Sequence, residues 1–125
     1  MFVKRNANTA ELVGLSFGDG GLTHRRNSKR MKFQLRGDLR EEKENYDKTI
    51  IPLFNKEIML PIFKRKVGIV FSMKKNFYGL SVESTKIEKY LNYLGIPSGV
   101  KTELYIPRWI ERNSLFKKII NITHK

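Results

Sequence analysis

The alternation of apolar and polar residues divides the first third of the chain into a helix and a hairpin. A first helix is predicted over residues 10–18, capped by Thr9 or Asn8 and ended by a pair of glycines. Leu22–Arg26 has the pattern of a short strand. In residues 30–36 apolar and polar side chains alternate strictly, which predicts a strand with one buried face and one polar face.

The middle of the chain repeats this order. Apolar residues at helical spacing between Tyr46 and Phe54 predict a second helix. Pro52 should kink it or split it into two short pieces, because proline has no N–H to donate and clashes with the carbonyl four residues back. The run Glu41–Glu44 is interpreted as a solvated helix face. Residues 64–73 and 77–83 are predicted to form a second hairpin.

The last part of the chain predicts a third helix and a tail. The helix should begin with a T-x-x-E capping box made by Thr85 and Glu88 and end at Gly95. Pro107 should begin a final helical stretch that a short basic tail follows. Hairpins imply an antiparallel sheet with helices packed on one face. We therefore expect one α+β domain over residues 1–125, with a core of about 9–112.

The charge of the chain indicates what kind of partner it binds. The chain has 25 Lys and Arg residues against 12 Asp and Glu residues, a formal net charge of +13. The basic residues concentrate in residues 22–40 and 56–76, and a more acidic segment separates these two blocks. This distribution indicates that one surface meets phosphate, and nucleic acid is the commonest polyanion in a cell. The alternative is that the charge only keeps the protein soluble.

Several classes of protein are excluded by what the sequence lacks. There is no cysteine, so disulfides, thiolate zinc sites and cysteine nucleophiles are ruled out. The two histidines, His24 and His124, are too far apart in sequence to indicate a zinc site. No apolar run is long enough to span a membrane, and the first residues do not resemble a signal peptide. We expect a cytoplasmic protein, associated with the nucleoid, that has no membrane partner.

Two glycines inside the first predicted helix are unusual. Gly14 and Gly18 lie four residues apart, so they share one face, and each costs about 1 kcal/mol relative to alanine. They indicate that another backbone comes close to the helix. The alternatives are close packing within one chain, or an end of the helix at Gly18.

Residues 12–20, LVGLSFGDG, resemble the LAGLIDADG motif of homing endonucleases. The positions identical to the motif are Leu12, Gly14, Leu15, Asp19 and Gly20. The predicted order of elements is the αββαββα unit of that family, a saddle-shaped four-stranded sheet with helices on one face. Residues 93–101 and 106–110 are similar to the end of the first repeat in archaeal and phage-type members. The resemblance covers about residues 9–112.

The resemblance implies a metal-dependent DNA endonuclease. Asp19 and the carbonyl of Gly18 correspond to the metal ligands of the family, and these oxygen donors suit Mg²⁺ or Mn²⁺. Such an ion polarises the scissile phosphate and activates water. Lys101 lies where the family has a basic residue near that phosphate, although an ordinary surface lysine is the alternative. The residue that positions water in the family corresponds to Gly37, which leaves this role unassigned.

The resemblance also implies that the sheet lies over the major groove of double-stranded DNA. The side chains predicted to face the DNA are Thr23, Arg25, Asn27, Arg30, Lys32, Gln34 and Arg36 on the first hairpin, and Lys64, Lys66, Ser72, Lys74 and Lys75 on the second. Arginine pairs well with guanine, and glutamine pairs well with adenine. For each residue the alternative is contact with phosphate or water only.

One motif per chain implies a homodimer, because cutting two strands needs two active sites. The interface predicted on the motif helix consists of Leu12, Gly14, Leu15, Phe17 and Gly18. After Trp109 the sequence reaches the place where a two-motif relative enters its second motif helix, so a stand-alone dimer and the remnant of a longer gene are both open.

The first interpretation is an intron-encoded homing endonuclease. The second is a family member that binds without cutting, either a maturase that binds intron RNA or a DNA-binding regulator. The third is a ribosome-associated protein held mainly by charge, which steep salt dependence without sequence preference would reveal.

Overall fold

The computed structural model describes residues 3–24, 29–99 and 105–123. Its helices are α1 (Ala7–Asp19), α2 (Leu39–Asn45), α3 (Ile51–Phe54), α4 (Leu60–Phe63), α5 (Ile87–Leu94), α6 (Arg108–Glu111) and α7 (Ser114–Thr123). Its strands are β1 (Gly20–His24), β2 (Met31–Asp38), β3 (Gly68–Ser72) and β4 (Phe77–Ser84). The predicted order of helix, hairpin, helix, hairpin and helix is present, and the α+β class is confirmed.

Helix α1 begins three residues earlier than predicted. Its N-cap is Asn6, whose side chain accepts a hydrogen bond from the backbone N–H of Thr9 at 2.9 Å. The Thr9 hydroxyl accepts in return from the backbone N–H of Asn6 at 2.8 Å. Thr9 is therefore the third helical residue of a capping box and not the cap, because a threonine can take the place that glutamate or glutamine usually fills there.

The sheet has the strand order β1-β2-β4-β3, and all three pairs are antiparallel. The alternation predicted for the second strand is confirmed, since Met31, Phe33 and Leu35 are at most 1% exposed and their neighbours are more exposed. Two glycines let the partner strands lie against β2. A Cβ on Gly20 would lie 1.8 Å from the Gln34 carbonyl oxygen, and one on Gly79 would lie 1.8 Å from the Leu35 carbonyl oxygen.

The second helix begins at Leu39 and follows a helical path to Phe63, with two π-helical turns at Tyr46–Ile50 and Asn55–Met59. A proline follows each π-helical turn, Pro52 in α3 and Pro61 in α4. In the first turn the N–H of residue 51 donates to the Tyr46 carbonyl, five residues back. In this π-helical turn each backbone N–H bonds five residues back instead of four, just before Pro52, which has no N–H to donate. The interruption expected at Pro52 is therefore a π-helical turn and not a break in the helix.

The first strand of the second hairpin, β3, begins at Gly68 and not at residue 64 as predicted. Lys64 ends α4 in the left-handed conformation with φ 58°, and Lys66 precedes β3. Both lysines were expected on the strand, and that prediction is wrong. The buried Asn55 side chain accepts from the backbone N–H of Val67 at 2.7 Å, which holds this segment beside the helix until the strand begins. The predicted turn at residues 74–76 is confirmed.

Helix α5 starts without the predicted capping box. Its first helical residue is Ile87, and the preceding Lys86 provides no side-chain cap. The Ser84 hydroxyl accepts from the backbone N–H of Lys86 at 2.9 Å, while the Glu88 carboxylate accepts from Ser98 at 2.7 Å. Glu88, which was expected to complete the capping box at the start of α5, therefore binds Ser98 in the loop after the helix. The predicted end at Gly95 is confirmed, with φ 102°.

The segment expected to be a short basic tail forms α7. This helix packs against α1, and its Ile120 is 1% exposed. Phe116 packs edge-on against Trp109 with ring centroids 5.7 Å apart, and the Trp109 indole N–H donates to the Leu94 carbonyl. Helix α1 is thus covered within its own chain both by the sheet and by α7.

Candidate metal site and nucleic-acid face

Asp19 lies at the junction between α1 and β1, as the last residue of the helix. The hydroxyl of Tyr46 donates a hydrogen bond to its carboxylate, with 3.1 Å between Tyr46 Oη and Asp19 Oδ2. Tyr46 is fully buried at the first residue of the first π-helical turn. Because the tyrosine is fixed in the core, its hydroxyl fixes the orientation of the carboxylate at the foot of α1.

Burial, followed by the negative charge of Asp19 and the hydrogen bond to it, raises the pKa of Tyr46 far above its ordinary value. The phenol therefore keeps its proton across the physiological pH range. A neutral donor facing a carboxylate favours the ionised form of that carboxylate. The Asp19 carboxylate therefore has a neutral hydrogen-bond donor facing it.

A second carboxyl group, that of Glu42, approaches this site from α2. Burial and then the negative charge of Asp19 raise the pKa of Glu42, while a hydrogen bond from the Asp38 backbone acts in the opposite direction. Glu42 lies in the space next to Gly37 at the end of β2. A Cβ on Gly37 would lie 1.9 Å from Glu42 Oε2 and 2.7 Å from Tyr46 Cε2. The glycine therefore leaves the room that the glutamate side chain fills.

The donors at the foot of α1 fit a hard divalent cation. Asp19 offers a carboxylate, and Gly18 offers a backbone carbonyl one residue earlier. Among the described residues, no group of three or more His, Cys, Asp or Glu side chains comes together as a metal site. One carboxylate and one carbonyl are compatible with a divalent ion such as Mg²⁺, which commonly keeps several waters and is shared between one or two carboxylates and substrate phosphates.

One face of the sheet is polar, as the alternation predicts. Residues directly opposite each other share a face, and the register pairs Lys32 with Thr23 on β1. Gln34 accepts a hydrogen bond from the Arg36 guanidinium at 2.9 Å, and that guanidinium lies 4.5 Å from the Phe77 ring centroid. Gln34 and Arg36 therefore form a hydrogen-bonded pair of polar groups on the face opposite to the buried Phe33.

The remaining residues predicted to face DNA are in different environments. Ser72 lies opposite Phe77 on β3, and its hydroxyl accepts from the backbone N–H of Lys75 at 3.1 Å. Lys74 and Lys75 are exposed at the tip of the second hairpin, and Arg30 is exposed just before β2. Lys64 and Lys66 are exposed off the strands. Arg25, Asn27 and the predicted catalytic Lys101 lie outside the described residues. Contact with DNA stays a prediction for all of them.

The predicted dimer interface is mostly buried inside the chain. Leu12, Gly14 and Phe17 are buried, and Leu15 is half-buried. Gly18 is exposed, and a Cβ placed on it would have no heavy atom within 4 Å. A second chain could therefore reach α1 most readily at Leu15 and Gly18.

Two residues of the site were missed by the sequence analysis. Tyr46 was assigned to the core by its spacing, which is correct, but its spacing carries no sign of the hydrogen bond to Asp19. Glu42 belongs to a run interpreted as a solvated helix face, and its neighbours Lys43 and Glu44 do form exposed ion pairs with Asp47 and Lys48. The one signal in the sequence that could have indicated a different place for Glu42 is Gly37. A glycine at the end of a strand leaves room for a neighbouring side chain, and here that side chain is Glu42.

A four-stranded antiparallel sheet with helices, combined with an acidic residue at the foot of a glycine-containing helix, is consistent with the LAGLIDADG homing endonuclease fold. A solved structure described as "Structures and dynamics of mesophilic variants from the homing endonuclease I-DmoI" is similar to the chain, with a TM-score of 0.56 and 25% sequence identity. The match covers 71% of this chain and 46% of that chain, so this chain spans less than half of it.

This similarity supports the LAGLIDADG family for the chain. No family model matches the sequence, and a comparison with curated proteins finds no match. No helix in the described part of the chain has the length and apolar character needed to span a bilayer.

The Tyr46 hydrogen bond can be tested with Tyr46→Phe, which removes the donor and keeps the ring. We expect the free energy of unfolding to fall by about 1 kcal/mol, because the partly buried Asp19 carboxylate loses a charge-assisted hydrogen bond. Urea denaturation measures this change. Tyr93→Phe is the matched control, because it also removes a phenol hydroxyl and keeps the ring that contacts the Arg5 guanidinium. Equal stability of the two variants would contradict the role assigned to Tyr46.

Proposed function

We propose that the chain is a homing endonuclease domain that cuts double-stranded DNA at a specific sequence with the help of a divalent metal ion. The observation that carries this proposal is the position of Asp19. It lies at the foot of the LAGLIDADG-like helix, is oriented by Tyr46, and is followed directly by β1 of the sheet whose polar face carries Lys32, Gln34 and Arg36.

In this proposal Asp19 and the Gly18 carbonyl hold the metal ion, Mg²⁺ or Mn²⁺. When bound, such an ion polarises the scissile phosphate and lowers the pKa of its water. Tyr46 orients the Asp19 carboxylate through its hydrogen bond. Lys101 supplies positive charge beside the scissile phosphate.

The polar face of the sheet binds the DNA in this proposal. Gln34 and Arg36 are hydrogen-bonded to each other on this face, and arginine and glutamine are side chains that pair with base edges in the major groove. Lys74 and Lys75, exposed at the hairpin tip, suit phosphate contacts, which fix position without reading sequence. The net charge of +13 favours association with DNA before any specific contact forms.

We propose a homodimer as the active form, because cutting both strands needs two Asp19 sites. Gly18 supports this arrangement, since its surface is open and a second backbone could approach it closely. We further propose an archaeal or phage-type, intron-encoded member that acts in the cytoplasm on nucleoid DNA. A maturase for intron RNA or a DNA-binding regulator would need the basic face but not Asp19, so the presence of Asp19 favours the endonuclease.

The metal role is tested by Asp19→Asn. We expect cleavage of a DNA duplex library in Mg²⁺ to be abolished while DNA affinity stays within a few-fold of the parent, because the neutral amide lacks the negative charge that attracts a divalent cation. Gel assays and fluorescence anisotropy measure the two properties. Glu41→Gln, on the exposed side of α2, is the control and should cut normally. Cutting by Asp19→Asn near the parent rate would contradict the assignment.

The DNA face is tested by Arg36→Ala. We expect DNA binding to weaken by about 1–3 kcal/mol, with no loss of folding, because the guanidinium is exposed on the sheet face. Anisotropy titrations over a range of salt concentrations separate base contact from phosphate contact, since a lost phosphate contact lowers the salt dependence. Lys56→Ala removes an exposed charge from the helical segment and is the control. If both variants bind equally, the strand face does not contact DNA.

The dimer is tested by Gly18→Leu. The isolated chain should accept leucine there, because the space is open and leucine favours a helix by about 1 kcal/mol over glycine. A dimer packed at Gly18 should instead dissociate, which light scattering on the DNA complex measures. Thr85→Leu places the same side chain on another exposed residue and should leave the mass unchanged. A Gly18→Leu dimer as stable as the parent, or a parent that is monomeric on DNA, would refute the arrangement.

A further inference from the structure

The carboxyl group of Glu42 occupies the space at the end of β2 that a side chain on residue 37 would otherwise take. Its Oε2 atom would lie 1.9 Å from a Cβ on Gly37, and its own Cβ would lie 3.0 Å from that point. Any larger residue at position 37 would force the glutamate out. The absence of a side chain on Gly37 in β2 therefore makes room for the carboxyl group of Glu42 from α2. The polar group at this end of β2 thus comes from the helix and not from the strand.

Glu42 lies next to the group that fixes Asp19. Tyr46 is four residues further along the same helical path, so the two side chains are neighbours on one face. Both pack over Gly37, where the Tyr46 ring would lie 2.7 Å from a Cβ. Since the Tyr46 hydroxyl donates to Asp19, the glutamate, the tyrosine and the aspartate form one connected group at the foot of α1.

The Glu42 carboxylate has stabilising and destabilising neighbours: the Asp38 backbone N–H donates a hydrogen bond to it, while burial and the negative charge of Asp19 raise its pKa. Two nearby acidic residues of the same segment, Glu44 and Asp47, form ion pairs with Lys48 and Lys43. Glu42 has no such pair among the described residues, and it is instead half-buried near the like charge of Asp19. The carboxylate accepts one backbone hydrogen bond and has no basic partner within the described part of the chain, so it keeps acceptor sites for a further donor.

We propose that Glu42 is a second functional carboxylate of the site, and that it accepts a hydrogen bond from a water molecule held between it and the divalent ion at Asp19. This inference rests on the proposed endonuclease function and assigns the water-orienting role that the sequence leaves vacant at Gly37. The carboxylate would orient that water toward the phosphate. On attack the water would lose its proton to bulk solvent, and the leaving oxygen would take a proton from solvent.

The test compares Glu42→Ala and Glu42→Gln with the control Glu41→Gln, which lies on the exposed side of the same helix. We expect Glu42→Ala to lower both the single-turnover cleavage rate and the affinity for Mn²⁺ by about 10–100-fold, as removal of an outer-sphere partner does. DNA affinity should change less than about 2-fold, since this group does not face the base-reading surface. Glu42→Gln keeps a hydrogen-bond acceptor and should recover part of the rate.

The outcomes separate this inference from the proposed function. If the parent cuts and Glu42→Ala cuts and binds Mn²⁺ equally well, the inference is overturned and the endonuclease stands. If the parent cuts no DNA, the endonuclease proposal fails. The Mn²⁺ affinity, measured by electron paramagnetic resonance on the protein alone, then still decides: an unchanged value in Glu42→Ala overturns the inference, and a fall of about tenfold supports it.

A double-mutant cycle on stability checks the geometry independently of activity. Gly37→Ala should lower the urea midpoint of the parent, because the new Cβ displaces the Glu42 carboxyl group. The same change should lower the midpoint less in Glu42→Ala, where only the contact with Tyr46 remains. Equal losses in the two backgrounds would mean that Glu42 does not occupy this space, and the inference would then be overturned.

Discussion

The hydrogen bond from Tyr46 to Asp19 is the contact on which the arrangement of the site depends. It joins the foot of α1, the first element of the unit, to the helical segment that follows β2. The tyrosine can act in this way because it is fully buried and cannot move without opening the core. Gly20 completes the constraint from the other side, since its missing side chain lets β1 lie directly against β2 beside the aspartate.

The π-helical turn places Tyr46 within the helical segment. Tyr46 is the first residue of the turn at Tyr46–Ile50, and Pro52 follows two residues after its end. The proline is the physical reason for a change of hydrogen-bond spacing, because it can neither donate nor tolerate the carbonyl four residues before it. Turns of this kind occur frequently at functional sites. The segment therefore gains a local geometry that a regular helix would not give it.

The sequence predicted those features that depend on periodicity, and it failed where tertiary contacts decide. Alternation at Met31, Phe33 and Leu35 identified the faces of β2 because one face must be buried. The start of β3 could not be found in this way, because the backbone N–H of Val67 donates to the Asn55 side chain, twelve residues earlier, and the strand begins only after this contact. Glu42 was likewise indistinguishable from a solvated residue, because only the fold brings it to Asp19.

Gly14 and Gly18 share one helix face and yet have different surroundings. Gly14 is buried in a helix that the sheet and α7 already cover, so close packing within one chain is sufficient to explain it. That explanation fails for Gly18, which is exposed and has no atom near the position of a Cβ. A glycine in an open helical position costs stability without any packing gain in the isolated chain. Gly18 is also the last residue but one of α1, so the end of the helix accounts for a glycine there, and its open space leaves room for a second backbone beside the proposed metal ligand Asp19.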